Sequence, residues 1–188
     1  MPLRLLLGAL LVLVPRLAFA GVTLHYEGTA RTAAAAKAVL AAAVAFARGR
    51  GWPVSAGRNH VVLRPHARSE PIELRFEGRT LQPSSVKTQF AGVETHLAVV
   101  ELLQRLDAEL QSLTVEDDGG YWETGDRQAL VAAFDEVDEL LARELQKPGT
   151  SGPYRLPSGR IVDVIVGPVP REMRPLPVRR GGARREAS

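Results

Sequence analysis

Ile72-Glu73-Leu74-Arg75-Phe76-Glu77 decides the fold: an apolar side chain stands at every second position and a charged one between, without a break. Side chains alternate across a strand, so this period of two describes a β-strand with one buried and one solvated face. A strand wet on one side suits an antiparallel sheet backed by helices, whereas a parallel sheet is packed on both faces.

Working outward, Gly21 to Tyr26 alternates Val22, Leu24 and Tyr26 against Thr23 and His25, which predicts a second strand. Asn59 to Arg64 and Leu113 to Glu116 are two more, the latter ended by the turn Asp117-Asp118-Gly119-Gly120. Between them the period changes to that of a helix. Ala36, Val39, Leu40, Ala43, Val44 and Phe46 recur at three-four spacing behind a cap at Thr29 or Thr32, and Gly49 and Gly51 close the helix. A second helix, about Val93 to Gln111, carries Val93, Leu97, Val100, Leu103, Leu106 and Leu110 on one face. A third, capped by Thr124 or Asp126 and reaching about Gln146, carries Leu130, Phe134, Val137, Leu141 and Leu145.

Strand, helix, strand, strand, helix, strand is the order of the split βαβ plan. The expected fold is therefore α+β and ferredoxin-like (βαββαβ): an antiparallel sheet backed by helices, with an added C-terminal helix. This domain should span residues 21–147. Residues 148–166 read as a Pro/Gly linker followed by a small β-hairpin, in which Tyr154-Arg155-Leu156 and Ile161 to Val166 flank the turn Pro157-Ser158-Gly159-Arg160. Residues 167–188, rich in Pro, Arg and Gly, read as a disordered basic tail.

The other end has the form of an export signal. Met1 to Arg4 is a short basic start, Leu5 to Pro15 an apolar run, and Ala18-Phe19-Ala20 a small-x-small exit, so residues 1–20 are expected to be a cleaved signal peptide. Arg16 interrupts the run before the roughly 20 apolar residues a membrane span needs, which argues against a stable membrane anchor. The expected location is the periplasm or the extracellular medium of a bacterium. The chain has no Cys, so stability there must come from burial and hydrogen bonding.

The formal charge of +3 hides a sharp asymmetry. Residues 21–100 hold ten basic and five acidic side chains (+5), whereas 101–147 hold four basic and thirteen acidic (−9). Residues 21–170 sum to −3, so the net positive charge comes from the leader and tail, a weak footprint for nucleic acid, and no nucleic-acid partner is expected.

Two stretches are richer in polar and aromatic groups than a scaffold requires. Lys87-Thr88-Gln89-Phe90 to His96 enters the second helix, and Asp117-Asp118-Gly119-Gly120-Tyr121-Trp122-Glu123-Thr124-Gly125-Asp126 enters the third. Lys87 and Gln89 stand near a helix N-terminus, where unpaired N–H groups favour anions, or else simply belong to a capped loop. Glu123 and Asp126 suit capping. Tyr121 and Trp122, beside Asp117, Asp118, Glu123 and Asp126, form a candidate recognition surface, against the plainer reading that the rings pack on the core.

The scattered His25, His60, His66 and His96 have no metal-ligand spacing, and the Asp117-Asp118-Gly119 start of a calcium loop lacks its later ligands. No cofactor motif and no nucleophile signature occurs, so neither a metal nor a cofactor is expected. The sequence thus favours a non-catalytic, exported protein-binding domain, immunity-like or inhibitor-like, whose candidate binding residues are Tyr121, Trp122, Glu123, Asp126, Asp117, Asp118, Lys87, Gln89 and His96, with a basic protein as partner. The alternative is a small envelope hydrolase using Glu116, Asp118, Glu123 or His96.

Overall fold

The computed structural model describes residues 21–177; the expected signal peptide (1–20) and the end of the expected tail (178–188) lie outside the described residues. The chain runs β1 (Thr23–Thr29), α1 (Ala33–Gly49), β2 (Val54–Ala56), β3 (His60–Leu63), β4 (Ile72–Glu77), β5 (Thr80–Lys87), α2 (Val93–Glu109) and β6 (Ser112–Asp117). A single turn, α3 (Tyr121–Thr124), and the long α4 (Arg127–Glu144) follow. Five two-residue strands complete it: β7 (Thr150–Ser151), β8 (Tyr154–Arg155), β9 (Ile161–Val162), β10 (Ile165–Val166) and β11 (Arg174–Pro175).

The expected α+β architecture is present, as one antiparallel six-stranded sheet in the order β2-β3-β4-β5-β1-β6. The stretch β4-β5-β1-β6 is compatible with the ferredoxin-like plan, and β2 and β3 lengthen it on one side. One difference from the sequence reading matters. The strand beside β1 is β5, a segment to which the sequence pattern assigns no element, and not the Ile72 strand. On β1 the register advances from Tyr26 to Gly28 while β5 moves from Ser84 to Leu81, so one extra residue bulges out next to Pro83. Proline has no N–H to give a ladder and is tolerated in a sheet at such bulges.

Alternation does what the sequence predicts on β4: Ile72, Leu74 and Phe76 are buried, and Glu73, Arg75 and Glu77 are exposed. The buried set meets Leu24 and Tyr26 of β1, Leu81 and Val86 of β5, and the apolar stripes of α1 and α2. Thr32 caps α1, its side chain accepting the Ala35 N–H at 3.0 Å. At the other end Gly51 takes φ +69, which lets the Trp52 N–H return to the Ala47 carbonyl (2.8 Å). A second cluster of Val22, Leu130 and Phe134, joined by Val93, Leu97 and Val137, seats α4 as the added helix.

Between β4 and β5 the ladder pairs Phe76 with Leu81 and Glu77 with Thr80. The Tyr26 hydroxyl fills the opening from β1: it donates to the Glu73 carbonyl (3.0 Å) and accepts the Glu73 N–H (3.1 Å). Burial pushes this phenol up to about 12.

The expected hairpin forms, with β8 paired to β9, and it docks on the domain. Buried Glu70 accepts from Ile161 N–H (2.8 Å), Arg160 (2.8 Å) and Lys87 N–H (3.1 Å). The expected tail is not structureless from residue 167. β11 pairs with β8, and Leu176 is buried while its N–H donates to the Pro153 carbonyl (3.1 Å).

Candidate functional site

The two polar stretches, far apart in sequence, meet at the end of the sheet where β1 begins. Thr88 and Gln89 leave β5, His96 lies in the first turns of α2, and Asp117 ends β6. Thr88 Oγ1 is 2.9 Å from His96 Nδ1, and His96 Nε2 is 3.1 Å from Asp117 Oδ2. Asp117 Oδ1 accepts the Gly119 N–H (2.8 Å), and Oδ2 accepts those of Tyr121 (2.9 Å) and Trp122 (3.0 Å). The carboxylate therefore shapes the turn into α3 from within.

Proton placement in this chain follows from counting donors. Thr88 Oγ1 also lies 3.2 Å from the Val22 carbonyl. If its single proton points there, Nδ1 must carry a hydrogen; if it points at Nδ1, the ring is neutral and protonated on Nε2. Asp117, held ionised, can only accept, so Nε2 carries a hydrogen and donates to it. Burial acts to raise the Asp117 carboxyl, but the His96 hydrogen bond and charge, with the Trp122 and Gly119 N–H groups, outweigh it and hold the group below the usual carboxylate range.

A hydroxyl, an imidazole and a carboxylate in line is the order of a nucleophile, base and orienting acid. Here it is sealed: Thr88 and His96 are 0% exposed, as is the Asp117 side chain. A substrate cannot reach Thr88 without unfolding the junction, so the chain braces the fold. Phe134 of α4 closes it edge-on over His96, with ring centroids 5.9 Å apart. Gly119 makes room for this packing, because a Cβ there would come within 2.5 Å of Leu130 Cδ1.

The remaining expected residues divide between inside and outside. Lys87 holds a carboxylate, but an internal one: its Nζ lies 2.7 Å from both oxygens of Asp163. Gln89 accepts the Val22 N–H (3.1 Å) and donates to the Phe134 carbonyl (3.2 Å) and Asp138 (2.8 Å). Tyr121 and Trp122 are half-buried and packed against the core. Asp126 caps α4 by accepting from Gln128 N–H (2.8 Å) and Ala129 N–H (3.1 Å), and Glu123 is exposed.

Asp118 turns away from the brace, toward the face of the sheet opposite the helices, where its Oδ2 is 4.0 Å from His25 Nε2. Burial, with the charges of Glu116 and Asp117, raises it against the opposing effect of His25. Among the described residues no group of three or more His, Asp or Glu side chains is arranged to hold a metal ion, and no helix is long and apolar enough to cross a membrane.

No family model, curated protein or solved structure matches this chain. The site is therefore read from its geometry. Sequence reasoning named His96, Gln89 and Asp117 but not Thr88, which sits between two of the residues it singled out. A threonine on its own carries no signal; only the meeting of β5, α2 and β6 gives it a partner.

Proposed function

We propose that the protein is a non-catalytic binding domain, exported from its cell, that offers the turn from Asp117 to Asp126 to a basic protein partner in the manner of an inhibitor or immunity protein. The observation that carries this reading is the grip of Asp117 on the Gly119, Tyr121 and Trp122 N–H groups. A turn fixed before contact does not have to be ordered on binding, which removes part of the entropic penalty of association. Around it, Asp118, Glu123 and Asp126 are exposed at the edge of a segment of charge −9. Such a field steers a cationic partner and speeds encounter. Half-buried Tyr121 and Trp122 supply the apolar contact that a charged rim lacks.

The hydrolase alternative draws less support. His96 is sealed, Glu116 and Asp118 face the side of the sheet opposite the helices, and Glu123 points out from α3.

A photoreactive amino acid placed at exposed Glu123, and separately at exposed Arg58 in the β2–β3 turn, tests the proposal in the native cells. Crosslinking to a basic protein from position 123 alone, abolished by Glu116→Lys with Asp118→Lys, is the expected result. Equal products from both positions, or products indifferent to the charge reversal, would overturn it.

A further inference from the structure

A concave, positively lined part of the molecule lies away from the brace, where the hairpin covers the outer side of β3 and β4. A cleft of about 790 Å³ opens there. Its walls come from three distant segments: the end of α1 with Trp52, the β3 exit with Arg64 and His66, and the hairpin turn from Arg155 to Gly159.

Arg155 is half-buried and rigidly held. Its guanidinium donates to the carbonyls of Gly159 (2.8 Å), Ala67 (2.8 Å) and Ser69 (2.9 Å). Carbonyl dipoles fix the group without cancelling its charge, and it enters none of the ion pairs among the described residues. Arg64 enters none either; its only partner there is the Ser55 hydroxyl at 3.3 Å. Burial lowers the Arg155 guanidinium from its ordinary value and the Arg64 charge lowers it further, against the pull of Glu70.

His66 adds a directed donor. Its Nδ1 accepts the Arg68 N–H at 3.0 Å, so the neutral ring carries its proton on Nε2. Glu73 is the one carboxylate of the lining, and Arg50 at the margin is paired to Glu101. The Arg64 and Arg155 guanidinium groups and the His66 Nε2–H, set against one carboxylate, give the cleft a lining suited to an oxyanion, since guanidinium N–H groups match carboxylate and phosphate oxygens. The apolar part of the lining is Trp52, backed edge-on by Phe46 at 5.5 Å, with Pro53, Pro65, Pro71, Leu156 and Pro157.

We propose that this cleft binds a small molecule bearing a phosphate or carboxylate on a compact apolar body, the oxyanion held by Arg64 and Arg155 and the body lying against Trp52. The volume falls within the range of about 300 to 1,000 Å³ usual for small-ligand sites. The site is independent of the acidic turn and stands or falls separately from it.

Isotope-labelled protein titrated with phenyl phosphate, benzoate and phenol tests this by NMR. The chain has two Trp residues, and Trp122→Phe assigns their indole signals. Saturable movement of the Trp52 indole signal with phenyl phosphate or benzoate, and none with phenol, is expected; the better of the two anions identifies the headgroup. Arg64→Ala should weaken that binding about tenfold or more, and Arg64→Lys should restore part of it, because charge-assisted hydrogen bonds are the strong ones and Lys keeps the charge. Arg64 is exposed, so its replacement leaves the fold intact. Phenol binding as well as phenyl phosphate, an unchanged affinity in Arg64→Ala, or no saturable response to either anion would each overturn the proposal.

Discussion

His96 Nε2 lies 3.1 Å from Asp117 Oδ2, and neither side chain is exposed to solvent. The pair joins α2 to the end of β6, and through the Asp117 carboxylate it also fixes the turn into α3. Removing one member of a buried ion pair or charge-assisted pair leaves the other desolvated and alone. His96→Ala should therefore lower the unfolding free energy by about 3 to 5 kcal/mol, measured by urea denaturation. Thr88→Val, which removes only the outer hydroxyl, should lose about 1 to 3 kcal/mol.

Acid should weaken the same junction. The Asp117 carboxyl is held below its ordinary value of 3.8, so the unfolded chain takes up a proton first as pH falls. Its stabilising contribution is complete above that value and is lost as pH drops from there through the folded-state pKa. Asp118 and Asp163, both raised mainly by burial, act with the opposite sign and gain protons more readily in the folded state. The stability gap between wild type and Asp117→Asn isolates the Asp117 contribution. It should be wide at neutral pH and narrow below about pH 4.

Tyr26→Phe keeps the ring but strips both partners from Glu73, whose N–H and carbonyl bond the hydroxyl across the gap between β4 and β5. A loss of about 1 to 3 kcal/mol is expected, with faster hydrogen exchange at the Glu73 amide. Alkali provides a second readout. The phenol is pushed up to about 12 from 10.0, so the unfolded chain ionises first and this residue withdraws stability as pH rises above about 10.

Glu70 holds the hairpin to the domain through Ile161 N–H and Arg160. Glu70→Ala should expose the segment around residues 156–160 to limited proteolysis while the sheet and helices keep their circular dichroism. Neither Ile161 nor Leu176, the buried apolar residues of this region, belongs to the two main hydrophobic clusters. Cleavage at the wild-type rate would show that Glu70 is dispensable for docking.

The elements that were legible in sequence are those whose pattern is locally complete. β4 alternates over its whole length, and α1, α2 and α4 repeat their apolar stripes. β5 was hidden because its two buried residues, Leu81 and Val86, are five apart. An odd spacing puts them on opposite faces of a regular strand, and only the extra residue beside Pro83 returns both to the core. At the junction the sequence marked both polar stretches, because they are denser in polar and aromatic groups than a scaffold requires. It did not show that they meet, since the contact depends on how β5, α2 and β6 pack. The cleft beside Trp52 was less visible still, with its arginines 91 positions apart at Arg64 and Arg155.

The order of the sheet leaves β2 and β6 as its two borders. β2 is three residues long, and β6 carries Glu116 near its end with α3 folded beside it. A stray chain trying to add itself as a seventh rung meets too short a rail on one side and a charged one on the other. Both borders are thus poor templates for a further strand.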